Sequence, residues 1–260
     1  MAETTAAAQT AAKPDLQLVL PGRSAPAGAG WDWVVQGWGL FTRAPLMWIL
    51  SIIIVFVIAV VMAFVPIIGS LAFQLLQGVF AGGFVAACRV LEKDGDFELE
   101  HLFSGFTKRF VPLMLVGLIT LLAWVAILLV FFAFAGFSLI AAFMSGDPNS
   151  ALAALTASAA SLIIGGLVVL ALMVPLMAAY WFAPALVMMN DMSAGAAMKE
   201  SLFACFRNFV PFLIYGIVML VAAIIAAIPF GLGYLVWMPV AIASTYAAYR
   251  QIFTEGAWGS

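Results

Sequence analysis

The sequence predicts an all-α, polytopic membrane protein: six transmembrane helices set as three parallel helical-hairpin repeats, each preceded by an interfacial amphipathic helix. Composition, basic-residue placement and an internal repeat predict it. Of the 260 residues, 66% are hydrophobic and 8% are charged, where a soluble domain carries roughly a quarter charged residues. Most of the surface must therefore face lipid. The ten Lys and Arg residues fall in four clusters: Lys13, Arg23 and Arg43; Arg89, Lys93, Lys108 and Arg109; Lys199 and Arg207; and Arg250. Long apolar stretches without a single base run between these clusters. Lys and Arg are retained on the cytoplasmic side during insertion, so this pattern sets a topology with both termini in the cytoplasm.

Residues 1–30 are rich in Ala, Thr, Pro and Gly. Their best apolar run, Leu18-Val19-Leu20, is too short for a signal-peptide core and is cut by Pro21. They are expected to form a disordered cytoplasmic arm. A six-helix transmembrane domain is expected over 31–253, with repeats at about 31–90, 97–190 and 194–250, and a short cytoplasmic tail at 254–260. Six stretches reach the roughly 20 apolar residues that a spanning helix needs: 45–65, 67–87, 112–134, 161–188, 211–228 and 231–249. Uncharged turns at 66–70 and 229–233 join the outer pairs. The middle turn carries Gly146-Asp147-Pro148-Asn149, inside a segment at 137–160 that the other hairpins lack.

The repeat shows where each hairpin begins. Leu40-Phe41-Thr42-Arg43-Ala44-Pro45, Phe106-Thr107-Lys108-Arg109-Phe110-Val111-Pro112 and Phe206-Arg207-Asn208-Phe209-Val210-Pro211 each run from an aromatic through a base to a proline. Proline suits a first helical turn, where its missing N–H would be unpaired anyway. Two exits match as well: Ala86-Ala87-Cys88-Arg89 and Ala247-Ala248-Tyr249-Arg250. Apolar stripes at helical spacing precede the hairpins: Trp31, Val34, Val35, Trp38 and Phe41; Leu99, Leu102, Phe103, Phe106 and Phe110; and, more weakly, Ala194, Ala197, Met198, Ser201, Leu202 and Cys205. Such stripes suit helices lying in the headgroup plane. Each unit begins and ends on one side, so the repeats are parallel and not inverted. Small residues allow close helix approach in lipid, which gives Gly78, Gly82, Gly83, Gly165, Gly166, Gly231 and Gly233 a packing role. Pro175, Pro184 and Pro239 should kink their helices.

Chemistry is sparse. No Asp, Glu, Lys, Arg or His lies near the middle of a span, and ion or proton pathways usually keep such residues. The net charge of −2 leaves no basic face for a nucleic acid. One histidine, His101, cannot build a multi-histidine metal site, and no cofactor motif is present. His101 follows Asp96, Glu98 and Glu100 and reads as a solvated interfacial residue, with a proton-responsive switch as the alternative. Cys88 and Cys205 read as small apolar packers. Gln74 and Gln77, one helical turn apart, read as interhelical hydrogen-bonding groups or as the lining of a polar cavity. Ser244 reads as a hydroxyl bonded to its own helix, or as part of the same lining. The basic entries Arg43, Lys108, Arg109 and Arg207, with Arg89 and Arg250 at hairpin exits, are ordinary positive-inside anchors or lipid-headgroup sites beside helix N-termini.

The run Pro184-Ala185-Leu186-Val187-Met188-Met189-Asn190-Asp191, then Ala194 to Ser201, Asn208 and Pro211, and the ending from Pro239 through Tyr246, Tyr249, Arg250 and Phe253, resembles the uncharacterised six-span inner-membrane proteins of Gram-negative bacteria. These are distantly similar to the membrane domain of glycerophosphodiester phosphodiesterases. The resemblance covers about residues 30–253 and implies a bacterial inner (cytoplasmic) membrane location, with no catalytic residue to carry over.

The expected role is that of a non-enzymatic accessory, scaffold or lipid-interacting membrane protein without a cofactor. Its expected partners are membrane lipids, with room for a membrane-protein partner; the sequence does not set an oligomeric state. A transporter or channel for an apolar or amphiphilic solute is the alternative, with Gln74, Gln77, Tyr180, Tyr215 and Ser244 along its path. A lipid enzyme built on Asn190, Asp191 and His101 ranks last, because no activated nucleophile or base pair is evident.

Overall fold

A computed structural model describes residues 17–144 and 148–255. Within them the chain forms ten helices: α1 (Ala29–Arg43), α2 (Pro45–Ala63), α3 (Ile68–Glu92), α4 (Leu99–Lys108), α5 (Phe110–Met144), α6 (Pro148–Trp181), α7 (Ala183–Asn190), α8 (Ala194–Arg207), α9 (Phe209–Ala227) and α10 (Tyr234–Phe253). The order is short, long, long, three times over, with α7 as a continuation of α6. Pro45, Pro112 and Pro211 each fall in the first turn of a long helix, where the absent N–H costs nothing.

Among the described residues, five stretches are long and apolar enough to cross a membrane: Pro45–Ala63, Ile68–Glu92, Phe110–Ala133, Ser161–Asn190 and Phe209–Ala227. The sixth expected span, 231–249, is not among them. Its helix, α10, has 20 residues, but its C-terminal half carries Ser244, Thr245, Tyr246, Tyr249, Arg250 and Gln251, which lower its hydropathy.

The middle hairpin also departs from expectation. Helices α5 and α6 hold 35 and 34 residues, so each runs about 50 Å at 1.5 Å per residue, well beyond a hydrocarbon layer of about 30 Å. The segment 137–160 thus extends both helices; Gly146 and Asp147 of the expected turn lie outside the described residues. Near the other end of the hairpin, α6 breaks at Phe182 before α7 begins. Pro184 lacks the N–H that would reach Tyr180. Just ahead of it, Ser201 of α8 inserts into the helical ladder: its hydroxyl donates to the Ala178 carbonyl (2.6 Å) and accepts from the Phe182 N–H (2.9 Å). A side chain entering the ladder is a recognised cause of a sharp bend, and here it pairs both backbone groups that the break releases. Pro175 and Pro239 sit inside continuous helices.

Close backbone approach holds the helices together. A methyl group added at Gly78 would press on the Leu113 carbonyl of α5, and one at Gly83 on the Leu102 carbonyl of α4. Gly82 faces the Leu113 side chain, and Gly117 of α5 faces the Leu75 carbonyl in return. Gly166, expected to pack, faces open space. Aromatics fill the gaps at the basic end: Trp48 stacks on Phe84 at 5.8 Å and meets the edge of Phe97 at 5.2 Å.

Helices α1, α4 and α8 are held more deeply than a headgroup-plane reading suggests. Gly30 and Gly37 bring α1 against Pro211 of α9 and Ser244 of α10, and Trp33 and Leu40 are buried. Trp31, Val35 and Trp38 form its exposed face. Helix α8 buries the small face Ala194, Ala197, Ser201 and Ala204 and turns Phe203 and Phe206 outward.

The arm expected to be disordered through residue 30 is held from Gln17 on. Leu18 forms an antiparallel bridge with Thr254. The Val19 and Arg23 N–H groups donate to the Phe253 and Ile252 carbonyls at 2.8 and 2.7 Å. Asn208, completely buried, accepts from the Ala25 N–H at 2.7 Å and donates to the Arg23 carbonyl at 3.0 Å. Residues 17–28 thus form a strap across the ends of α8 and α10.

Candidate functional site

Two features stand out: a charged collar at one end of the bundle and a set of apolar cavities beneath it. The collar is built on Glu92, the last residue of α3. Arg89, one turn earlier, donates to its carboxylate at 3.0 Å. Arg250 of α10 donates to the other carboxylate oxygen at 2.7 Å through Nε, and the Tyr246 hydroxyl donates at 2.6 Å. The Arg250 and Glu92 side chains are only 8% and 10% exposed. Arg250 also donates to Thr254 at 2.6 Å, and Arg23 of the strap donates to the Thr254 carbonyl. Beside them the Tyr249 hydroxyl donates to Asn190 of α7 at 2.6 Å. Buried charge is tolerated when paired and hydrogen-bonded, and here one carboxylate draws α3, α10 and the strap together.

The remaining basic positions lie around this collar. Arg43 donates to the Leu91 carbonyl (2.5 Å) and to Asp94 (2.9 Å). Arg109 pairs with Asp191, and Arg207 donates to the Pro21 and Gly22 carbonyls of the strap. Lys108 is exposed. Of the six positions read as headgroup contacts, Arg89 and Arg250 are turned inward onto Glu92. Arg43, Lys108, Arg109 and Arg207 keep surface exposure. His101 accepts from the Glu98 N–H at 3.1 Å and caps α4. Asn190, Asp191 and His101, the candidate enzymatic cluster, are each engaged by a different local partner. No group of three or more potential metal ligands occurs among the described residues.

The central cavity, about 470 Å³, lies between α2, α3, the α6–α7 break and α10. Gln77, Tyr180, Trp181, Thr245 and Tyr246 supply its polar groups; the rest of the lining is apolar, and no charged residue contributes. Of the intramembrane polar residues read from sequence, Gln77 lines this space. Gln74, one turn away, is half-buried and outside the lining. Ser244 is completely buried under Gly37 of α1 and donates to the Val240 carbonyl of its own helix at 2.6 Å. Its hydroxyl serves the α1–α10 crossing, not the cavity. Two further cavities of about 630 and 670 Å³ flank the first and share Ile242 with it. A groove of about 680 Å³ runs from the exposed face of α1 down between α9 and α10 to Pro229. Every residue along it is apolar, with Trp31 and Trp38 at one end and Ile228 at the other.

Cys205 lies against the α6 break, with its thiol 3.5 Å from the Ala178 carbonyl. Burial pushes its pKa up to about 12, with the Ser201 hydroxyl pulling weakly the other way. The neutral thiol is a poor nucleophile, which fits the reading of Cys205 as a packer.

Sequence reasoning missed Glu92 and Trp181. The Arg89–Glu92 spacing was the only local trace of the collar; the Arg250 partner lies 158 residues away. Trp181 carries the one indole Nε1 that is buried without a hydrogen-bond acceptor among the described residues.

No protein-family profile matches the chain, and no solved structure matches it. Among curated proteins, the chain is 30% identical over 250 residues to a probable inner membrane protein of Burkholderia thailandensis, covering 87% of this chain and 92% of that protein. Apolar helices long enough to span a bilayer and end-to-end similarity point the same way: the chain belongs to this family of multi-pass inner-membrane proteins.

Proposed function

We propose that the protein is a non-enzymatic, lipid-interacting component of the inner membrane, an accessory or scaffold whose body holds acyl chains. The observation that carries this reading is the all-apolar groove under α1. It is about 680 Å³ in volume and descends from two tryptophans to the far turn at Pro229. Tryptophan prefers the headgroup level, and an apolar trough leading away from it matches a lipid tail. Arg43, Lys108, Arg109 and Arg207 are the basic side chains available to headgroups around the rim. In this reading α10 is a sixth span, the three helix triplets are parallel repeats, and both termini face the cytoplasm. A membrane-protein partner would dock on the same apolar flanks.

The test is native mass spectrometry of the protein released from its own membranes in mild detergent. Co-purifying phospholipid, lost when Trp31 and Trp38 are both replaced by Ser, is the expected result. A lipid-free protein that also lacks a stoichiometric partner would overturn the reading. Cysteine-accessibility labelling tests the topology: probes at Lys108 and Arg207 must react from one side, and a probe at Phe230 from the other.

One observation favours a second reading, passage of an amphiphilic solute. Three cavities adjoin around Ile242 in the bundle interior. Flux of a fluorescent lipid across proteoliposomes, absent in empty vesicles, would select it.

A further inference from the structure

The central cavity has hydrogen-bond donors without acceptors. Thr245 already donates to the Ala241 carbonyl at 3.0 Å and Tyr246 to Glu92 at 2.6 Å. The amide of Gln77 and the hydroxyl of Tyr180 also line the space. Among the described residues, no hydrogen bond joins either side chain to a partner. Trp181, on the same wall, has its buried Nε1–H unpaired as well. Trp181 Nε1 is buried, and Gln77 and Tyr180 are part-buried on the same lining; polar groups kept from water are normally paired, so these donors, surrounded by lipid, define what the space lacks. The one side-chain amide oxygen there, on Gln77, cannot satisfy three donors at once, so the space takes a further acceptor from outside the protein.

The lining narrows the acceptor further. No charged side chain contributes to it, so a phosphate or carboxylate brought inside would lose its hydration without gaining a counter-ion. The volume of about 470 Å³ falls in the range of small-molecule sites. On the basic side, Tyr246 is both part of the lining and part of the Glu92 collar, so charged groups there are already matched to one another. We infer that this cavity binds an uncharged diacyl lipid by its ester carbonyl, with Gln77 and Tyr180 as the donors. The inference rests on the lipid-interacting reading above and names the class of lipid that the interior selects. The glyceryl ester and the first part of the chains fill the space beside Phe73, Phe80 and Phe84 of α3 and Met177 of α6, and the tails leave through its open side into the bilayer. The ester carbonyl accepts from the Tyr180 hydroxyl and the Gln77 NH2, and the free glycerol hydroxyl donates to Gln77 Oε1, so the amide is paired at both ends.

The test compares three probes on the full-length protein in dodecyl maltoside: dioleoylglycerol, its diether analogue without carbonyls, and dioleoylphosphatidylglycerol. Retention is read by native mass spectrometry. The wild type is expected to hold the diester about tenfold more tightly than the diether, the size of effect one or two hydrogen bonds produce. The double variant Gln77→Leu, Tyr180→Phe is expected to lose that preference while binding the diether as the wild type does, which also shows that the fold is intact. If the double variant does not fold, Tyr180→Phe alone, one oxygen smaller, must reduce the preference. Equal binding of diester and diether by the wild type overturns the inference and leaves the lipid-interacting reading standing. So does a preference that survives the substitutions, or stronger binding of the anionic lipid at this cavity. If none of the three lipids binds, both fall together.

Discussion

The two ends of the α3–α10 pair are built on opposite principles. At the basic end, Arg89, Glu92, Tyr246 and Arg250 interlock through hydrogen bonds between 2.6 and 3.0 Å, nearly sealed from solvent. At the bare end, the turns at 64–68 and 228–232 carry no charge, and Phe64, Ile67 and Phe230 are exposed by 81%, 75% and 102%. Contact there is between backbones: Gly69 lies against the Met62 carbonyl, and Gly233 against Ala226. Both turns hold a side chain at positive φ, Ile67 at φ 64° and ψ −61° in a γ-turn closed by the Ile68 N–H on the Pro66 carbonyl, and Phe230 at φ 52°, a backbone strain of order 1–3 kcal/mol for a residue with a Cβ. One end is fixed by directional polar contacts that tolerate little change. The other is fixed by shape, with strain left in it. That division suits a body whose basic end meets water and whose bare end stays close to lipid.

The contrast can be broken most forcefully at Glu92. Replacing it by Leu leaves Arg89 and Arg250 buried without their counter-charge, and removing one partner of a buried pair costs about 3–5 kcal/mol. Thermal unfolding in detergent should show the largest fall of any single substitution here. A shift no larger than that of an exposed residue would mean that the collar does not hold the helices. Ser201→Ala comes next. It strands the Phe182 N–H and the Ala178 carbonyl at the α6 break, a loss of about 1–3 kcal/mol, read by the same melt. At the bare end the sign reverses: Ile67→Gly removes the positive-φ strain of the γ-turn and should stabilise the protein by about 1 kcal/mol. A lowered melting temperature there would show that the Ile67 side chain is engaged in a contact that outweighs the strain. The smallest effect is expected at Cys205. With its thiol neutral up to about 12, maleimide at pH 7 to 8 should label it only after denaturation. The folded thiol keeps its proton above the ordinary thiol range while the unfolded one ionises, so its contribution to stability falls as pH rises toward 12. Rapid labelling of the native protein would place Cys205 at an open surface.

The helical class and the starts of α2, α5 and α9 were legible in the sequence because both depend on local signals: apolar length and the base-then-proline entries. Gly78, Gly82 and Gly83 were legible as contact points for the same reason. Helix α10 falls short of the other five in apolar length because its start is apolar and its end is not. Helix α8 read as weakly amphipathic because its buried face is made of Ala and Ser. Those small residues fit closely against α6, and a hydrophobic stripe does not reveal them. The collar and the strap could not be read at all. Glu92 meets Arg250, and Leu18 meets Thr254, across most of the chain, and nothing local marks either pairing. Gln77 and Tyr180 were flagged by their polarity; Trp181 was not, and the three come to one space only through the packing of the α6–α7 break against α3.

The strap sets an order on biogenesis. The carbonyls of Pro21 and Gly22 find their partner in Arg207, and those of Phe253 and Ile252 are met by amides near residue 20. During translation the N-terminal segment can meet α8 once Arg207 and Asn208 are made, but it must wait for almost the whole polypeptide before its last contacts close. A ribosome stalled after α9 would leave a chain in which Arg207 and Asn208 can already meet residues 21–25, while the partners of Leu18, Val19 and the Arg23 N–H at the end of α10 are still missing. Protease protection of residues 17–28 would then report, in one measurement, that synthesis and assembly have both finished.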